Sequence, residues 1–75
     1  KKYEKQPFAL YPNPVTNGIL NIAGDQEIQS VEVYTILGAK VNTPFENGKL
    51  NVSNLSNGVY FLKINKKYSI KFIKS

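Results

Sequence analysis

Two apolar segments near the carboxyl end of the chain constrain its fold more than any other feature. Residues 56–64 and 68–74 are rich in β-branched and aromatic residues, and only residues 65–67 separate them. This composition and spacing predict two antiparallel strands joined as a hairpin. Alternation gives each strand one apolar face, formed by Tyr60, Leu62 and Ile64 and by Tyr68, Ile70 and Phe72. A lone hairpin is marginal in water, so these faces require a second layer from upstream residues.

The upstream chain consists of short segments with strand character, separated by turn signals. Glycine marks the turns at Asn17-Gly18, Leu37-Gly38 and Asn47-Gly48. The predicted strands between them cover residues 8–11, 19–23, 30–36, 41–45 and 50–53. Pro44 predicts an edge position for its strand, because proline has no N–H to donate to a neighbour. No stretch has the apolar periodicity and caps of an α-helix longer than about one turn.

About seven short strands at near-regular spacing indicate an all-β protein, a small antiparallel β-sandwich. A five-stranded OB-type barrel is the alternative, but that fold usually contains a helix between its third and fourth strands, and this sequence has no candidate for one. The inward-facing positions predict a core of Leu10, Leu20, Ile22, Val31, Val33, Leu37, Val41, Leu50, Val52, Leu55, Tyr60, Leu62, Ile64, Ile70 and Phe72.

The basic residues bear on the class of partner. The formal net charge is +5, which suggests an acidic partner, but all ten cationic side chains are lysines. Bidentate recognition of guanine or phosphate usually relies on arginine, so we predict no nucleic-acid partner. Five lysines belong to the last hairpin, and we interpret them as edge charges that oppose sheet-to-sheet aggregation: Lys63, Lys66, Lys67, Lys71 and Lys74.

Side chains that commonly carry catalysis or bind metals are scarce. The chain has no histidine and no cysteine, which removes the commonest general base, thiol nucleophile and zinc ligands. Asp25 and Glu27 lack the spacing and the number of oxygens that a calcium site needs. No phosphate-binding loop or nucleophile elbow occurs. We therefore predict a non-enzymatic domain with no cofactor and no metal, and the longest apolar run is too short to span a membrane.

Three aromatic residues lie off the predicted inner faces. Tyr3, Tyr34 and Phe61 would form a platform for stacking on sugars if they lay side by side on the surface. Ordinary cross-strand packing is the favoured interpretation, because aromatic residues at outward sheet positions commonly pack on one another.

Four short motifs occur in order along the chain: Leu10-Tyr11-Pro12-Asn13-Pro14, Leu37-Gly38-Ala39-Lys40-Val41, Leu55-Ser56-Asn57-Gly58-Val59-Tyr60 and Lys71-Phe72-Ile73-Lys74. Together they resemble the type A C-terminal sorting domain of the bacterial type IX secretion system, from about Phe8 to the end. Thr35 departs from the family pattern, which often has an acidic residue at that place. The resemblance implies an immunoglobulin-like sandwich.

The resemblance also implies a function. Family members form the extreme carboxyl end of a larger secreted protein and direct that passenger across the outer membrane of Bacteroidota-type bacteria. The passenger would be exported to the periplasm and then reach the cell surface or the medium. A sortase-like cysteine peptidase removes many such domains as the passenger is attached to surface lipopolysaccharide or released. Residues 1–7 would then be a linker to the passenger and residues 8–75 the sorting domain.

On this basis we expect Lys71, Phe72, Ile73 and Lys74, with the backbone of their strand, to present the signal to the secretion machinery by strand addition. Eight motif residues would mainly hold the fold, namely Tyr11, Pro12, Asn13, Pro14, Gly38, Leu55, Gly58 and Tyr60. Two rival functions remain. One is an immunoglobulin-like module that binds polysaccharide for an attached hydrolase, and the other is a spacer with no partner.

Overall fold

The computed structural model of the protein describes residues 7–75 and contains eight β-strands in that range. The strands are β1 Phe8–Tyr11, β2 Ile19–Gly24, β3 Val31–Thr35, β4 Lys40–Val41, β5 Phe45–Glu46, β6 Lys49–Asn51, β7 Gly58–Ile64 and β8 Tyr68–Lys74. The described chain has no helix that is long and apolar enough to cross a membrane.

The strands form two antiparallel sheets that pack face to face. The first sheet has the order β1-β2-β6-β5, and the second sheet has the order β4-β3-β7-β8. Lettered in chain order with β4 as C′, these are the A-B-E-D and C′-C-F-G sheets of an immunoglobulin-type sandwich. The all-β sandwich prediction is confirmed, and the structure supplies the strand order.

The predicted hairpin forms the longest pairing of the second sheet. β7 and β8 pair over their whole lengths, from Gly58 opposite Lys74 to Ile64 opposite Tyr68. Their turn contains Asn65 and Lys66, which have positive φ angles of 56° and 57°. Two consecutive residues with positive φ are typical of the tight turns whose twist matches that of a hairpin.

The core lies between the two sheets. It contains Phe8, Val15, Leu20, Ile22, Val33, Leu50, Val52, Tyr60, Leu62, Ile64 and Phe72. Half-buried residues packed against it include Leu10, Val31, Val41, Leu55 and Ile70. The prediction is wrong for Leu37, whose side chain is 92% exposed in the turn after β3. It also omitted Phe8 and Val15, both of which are buried.

The segment 41–45 is not one strand, as predicted, but parts of two. β4 ends at Val41 on the edge of the second sheet, and β5 begins at Phe45 on the edge of the first sheet. The chain crosses between the sheets over residues 42–44, which explains why eight strands occur instead of about seven. Pro44 lies at the crossing, next to an edge strand, where its missing N–H costs no ladder bond.

Candidate recognition surface

β8 is the edge strand of the second sheet, and its two faces have different surroundings. Phe72 points inward, is fully buried and stacks on Tyr60 with 5.6 Å between the ring centroids. Lys74 is half-buried, and its Nζ donates to the carbonyl of Leu55 at 3.1 Å. Lys71 and Ile73 are exposed on the outer face. Of the four residues expected to carry the signal, two are therefore open to a partner and two are turned toward the protein.

The free edge of β8 is covered by residues 13–15. Asn13 Nδ2 donates to the carbonyl of Lys71 at 3.2 Å, and the N–H of Ile73 donates to Asn13 Oδ1 at 3.0 Å. The N–H of Val15 donates to the carbonyl of Ile73 at 2.7 Å, and the N–H of Ser75 donates to the carbonyl of Val15 at 2.9 Å. The side-chain amide of Asn13 thus replaces a peptide group, and Val15 pairs with β8 in a parallel direction.

This pairing changes how a partner would bind β8. Strand addition needs backbone N–H and C=O groups that are free at a sheet edge. Asn13 and Val15 already bond the carbonyl of Lys71, both backbone groups of Ile73 and the N–H of Ser75. Our expectation of strand addition along residues 71–75 is therefore not compatible with the folded structure, in which this stretch offers side chains instead.

The outer face of the second sheet places Lys71 and Ile73 beside apolar neighbours. Phe61 of β7 is the middle residue of one row across the sheet: it lies opposite Lys71 of β8 on one side and opposite Tyr34 of β3 on the other side. Val59 lies opposite Ile73 in the next row. Outward positions alternate with buried ones along each strand, so the residues of both rows point away from the core. Together they form an apolar surface that runs from β8 toward β3.

The turn between β3 and β4 extends this surface. Thr35 holds the turn: its N–H donates to the carbonyl of Ala39 at 2.8 Å, its carbonyl accepts from the N–H of Gly38 at 2.9 Å, and its hydroxyl accepts from the N–H of Ala39 at 3.2 Å. Gly38 has a φ of 92°, a conformation that glycine adopts without strain. The fixed turn leaves Ile36 68% and Leu37 92% exposed.

A shallow depression of about 360 Å³ lies within this face, lined by Tyr34, Ile36, Phe61, Lys63 and Ser69 among others. Lys63 is the lysine in its lining. Lys40 pairs with Glu32 at 3.5 Å, the one salt bridge within residues 7–75; Lys63 lies directly opposite Glu32 in the strand register without forming a salt bridge, and Lys71 forms none either.

Other sequence candidates do not assemble into a site. Tyr34 and Phe61 are direct cross-strand neighbours and half-buried, which favours packing over a sugar platform. Tyr3 lies outside the described residues. Asp25 and Glu27 are exposed, and residues 7–75 contain no group of three acidic, histidine or cysteine side chains that could hold a metal ion.

A comparison with protein families matches residues 9–75 to the secretion system C-terminal sorting domain family. The chain belongs to this family. Comparisons with curated proteins and with solved structures found no match. As a type IX secretion sorting domain, the chain directs secretion of a passenger protein across the outer membrane and interacts with the secretion machinery. The family is a sorting signal and not a catalyst, which confirms the non-enzymatic prediction.

The motif before β7 fixes the start of that strand in the sorting domain. The hydroxyl of Tyr60 donates to the carbonyl of Ser56 at 2.7 Å. A tyrosine near the start of strand F that bonds the backbone a few residues upstream is the tyrosine corner of immunoglobulin-type sandwiches. Leu55 contributes a half-buried side chain, and its N–H donates to the carbonyl of Val52 at 3.1 Å. Gly58 has a φ of 153°.

The first motif of the sorting domain ties the two sheets together. Tyr11 ends β1 and is 54% exposed, and its carbonyl accepts from Asn21 Nδ2 at 3.0 Å within the first sheet. Pro12 and Pro14 are exposed on either side of Asn13. Because Asn13 bonds β8 of the second sheet, this short segment leaves one sheet and closes the edge of the other.

Sequence reasoning missed Asn65, which joins two loops. Its Oδ1 accepts from the N–H groups of Gln29 at 2.6 Å and Ser30 at 3.2 Å, and its Nδ2 donates to the carbonyl of Glu27 at 2.9 Å. The local signal for such a residue is an asparagine in a tight turn, where positive φ is tolerated. Nothing in the sequence around Asn65 indicates its hydrogen-bond partners in the distant loop.

Proposed function

We propose that the secretion machinery reads the folded sorting domain through the exposed side chains of Lys71 and Ile73. In this proposal Phe72 and Lys74 support the signal from behind, Phe72 by packing on Tyr60 and Lys74 by bonding the carbonyl of Leu55. The observation that supports this division is the opposite exposure of neighbouring residues in β8: Phe72 is fully buried, whereas Ile73 is 37% exposed.

The test uses point variants in a reporter fusion expressed in a host with a type IX secretion system. Deleting residues 71–75 would remove buried Phe72 and unfold the domain, so it would not separate signal from stability. We expect Lys71→Ser together with Ile73→Ser to reduce secreted reporter at least about tenfold, because a few central side chains dominate most interfaces. Lys66→Ser, which removes an exposed lysine from the turn of the same hairpin, is the control.

Thermal unfolding of the purified fusions must show that the double variant folds as the parent does. Secretion of a folded double variant at the parent level would reject Lys71 and Ile73 as the signal. If the domain were only a spacer, every surface variant of the domain would be secreted at the parent level.

We also propose that residues 1–7 link the domain to its passenger and that a sortase-like peptidase cuts in this linker or just upstream. The sandwich begins at Phe8, whose side chain is 4% exposed, so a cut before Phe8 would leave the folded core intact. The passenger would then be attached to the cell surface or released. The released domain should have an amino terminus at or before residue 8 by mass spectrometry. A terminus within β1 or β2 would contradict the proposed junction.

A further inference from the structure

We infer that the recognition surface extends beyond β8 across the outer face of the second sheet and that it fits a protein partner with an apolar ridge flanked by carboxylates. This inference rests on the proposed function, because Lys71 and Ile73 form one border of the same face. We name the face the docking face, formed by Tyr34, Ile36, Leu37, Val59, Phe61 and Ile73.

The docking face is continuous in the strand register. Val59 pairs with Ile73 in one row, and Tyr34 lies opposite Phe61 in the neighbouring row. Four apolar side chains thus occupy adjacent outward positions on three strands. Ile36 and Leu37 follow directly after Thr35, the last residue of β3, in the turn at the end of these rows. Contiguous exposed apolar surface on a small domain marks an interaction site more often than scattered apolar residues do.

The turn presents its apolar residues in a fixed position. Ile36 and Leu37 are 68% and 92% exposed, although a flexible turn would be free to fold them against the sheet. Three hydrogen bonds of 2.8–3.2 Å between Thr35 and the residues Gly38 and Ala39 hold the backbone instead. A rigid exposed pair loses little conformational entropy on binding, which favours its use in a contact.

The charges define the partner. Lys63 and Lys71 border the docking face and make no salt bridge in the described chain. The single acid on this side of the sheet, Glu32, lies directly opposite Lys63 in the strand register but pairs with Lys40 at 3.5 Å. The β7 to β8 hairpin contains five lysines and no acid. Complementarity therefore requires carboxylates on the partner, placed around its apolar contact.

The shape favours a protein over a lipid bilayer. Tyr34 and Phe61 are half-buried and line a depression of about 360 Å³ whose border includes Lys63. Lys71 is exposed and lies directly opposite Phe61 in the strand register, beside this apolar surface. A protein ridge can enter such a recess, whereas a flat membrane surface meets the lysines first.

The experiment compares secretion of variants on the two outer faces, using the full passenger fusion. Ile36→Ser with Leu37→Ser should lower secreted reporter at least about tenfold, because both residues are central to the proposed contact. The apolar control is Tyr11→Ser, which removes an exposed aromatic side chain from the first sheet. Because Tyr11 belongs to a motif that we expect to hold the fold, thermal unfolding must first show that this variant folds as the parent does. Its secretion should then stay within about twofold of the parent.

The charge requirement has its own pair of variants. Lys63→Glu should lower secretion roughly three- to tenfold, because it places a like charge against the carboxylates of the partner, and Lys63→Arg should retain secretion. Lys49→Glu, the same charge change on the outer face of the first sheet, is the control. Equal loss from Lys63→Glu and Lys49→Glu would overturn the inference, since net charge alone would then explain the effect.

Two further outcomes overturn the inference. In the first, the folded Ile36→Ser, Leu37→Ser variant is secreted at the parent level, whereas the Lys71→Ser, Ile73→Ser variant is not secreted. The proposed function would then stand, but recognition would not extend to the docking face. The other is binding of the purified domain to vesicles of phosphatidylcholine and phosphatidylglycerol that is lost in Ile36→Ser, Leu37→Ser, which would assign the face to a membrane. If Lys71→Ser, Ile73→Ser is secreted normally and Ile36→Ser, Leu37→Ser is not, the signal residues of the proposed function are wrong but the wider face is supported.

Discussion

The two sheets of the sandwich are alike on their inner faces and different on their outer faces. Both bury fully apolar positions, such as Leu50 in the first sheet and Leu62 in the second. The outer face of the first sheet is the more polar one: Lys49 Nζ donates to Asn21 Oδ1 at 3.0 Å, and a depression of about 360 Å³ is lined by Glu46, Asn47, Lys49 and Asn51 together with Ile19 and Pro44. The depression of equal volume on the second sheet has two aromatic residues, Tyr34 and Phe61, beside Ile36, Lys63 and Ser69 in its lining.

This difference shows where folding and function make separate demands on one sequence. Folding requires only one apolar face per sheet, and an outer face in water is ordinarily polar. The first sheet comes closer to that pattern, because Asn21, Lys49 and Asn51 share its outer face with only two larger apolar residues, Tyr11 and Ile19. The second sheet has apolar residues on both faces of β7, where Val59 and Phe61 alternate with buried Tyr60 and Leu62. The additional apolar face has no role in the core, which is why we assign it to binding.

The largest expected effect tests whether the two inner faces are equivalent. Phe72→Ala in the second sheet and Leu50→Ala in the first should each destabilise the domain by about 3–5 kcal/mol, because both side chains are fully buried and would leave cavities. Urea denaturation of the purified domain measures both values. If Leu50→Ala lowered the unfolding free energy much less than Phe72→Ala does, the first sheet would contribute less to the stability of the core than the second.

The next test compares two turns with the same backbone conformation. Asn47 between β5 and β6 and Asn65 between β7 and β8 have φ angles of 55° and 56°. Alanine at either position meets the same backbone strain, but only Asn65 has side-chain bonds to a second loop. Asn65→Ala should therefore cost about 1–3 kcal/mol more in unfolding free energy than Asn47→Ala. Equal losses of unfolding free energy would mean that the side-chain bonds of Asn65 make no net contribution to stability.

A smaller effect is expected at the edge of β8. Asn13→Ala removes two hydrogen bonds that join the first motif to the backbone of β8 and should cost about 0.5–2 kcal/mol. Asn21→Ala removes two bonds that stay within the first sheet and should cost less than about 1 kcal/mol. Opening the edge of β8 should also promote self-association of Asn13→Ala at high concentration. Sedimentation analysis that finds both variants monomeric would contradict this protective role.

The smallest effect concerns the ion pair of the second sheet. Lys40→Ala should change stability by less than about 1 kcal/mol, because exposed pairs gain little in water and are screened by salt. The Lys40 side chain is 60% exposed and that of Glu32 20%. Denaturation at low and high salt measures the difference. A loss of stability well above this value would show that the Glu32 carboxylate is tolerated in β3 only when Lys40 pairs with it.

The sequence allows prediction of the elements more readily than of the contacts between them. Alternation predicts the buried faces of β2, β3 and β7, because a period of two is a local property. Phe8 was within reach of the same rule, since it alternates with Leu10. Leu37 is apolar and was placed in the core, but its turn directs it outward. Whether a turn residue packs inward depends on hydrogen bonds such as those of Thr35, not on hydrophobicity.

The candidate surface was predictable only in part. The terminal motif indicated β8, and alternation separated Lys71 and Ile73 from Phe72. The covering of the edge was not predictable, because Asn13 and Ile73 are 60 residues apart and the proline-rich segment around Asn13 has no strand pattern. Val15 is buried for the same reason: it follows two prolines in the sequence but pairs with the last strand in the fold.

The parallel pairing of Val15 with β8 determines how the domain would respond to mechanical force. The two segments run in the same direction, and Val15 follows β1, the first strand of the sandwich. A load that draws the two termini apart would act along these segments in opposite directions, so that their hydrogen bonds would be sheared together instead of opening one after another. The bonds between Val15 and β8 would therefore resist such a load as one unit.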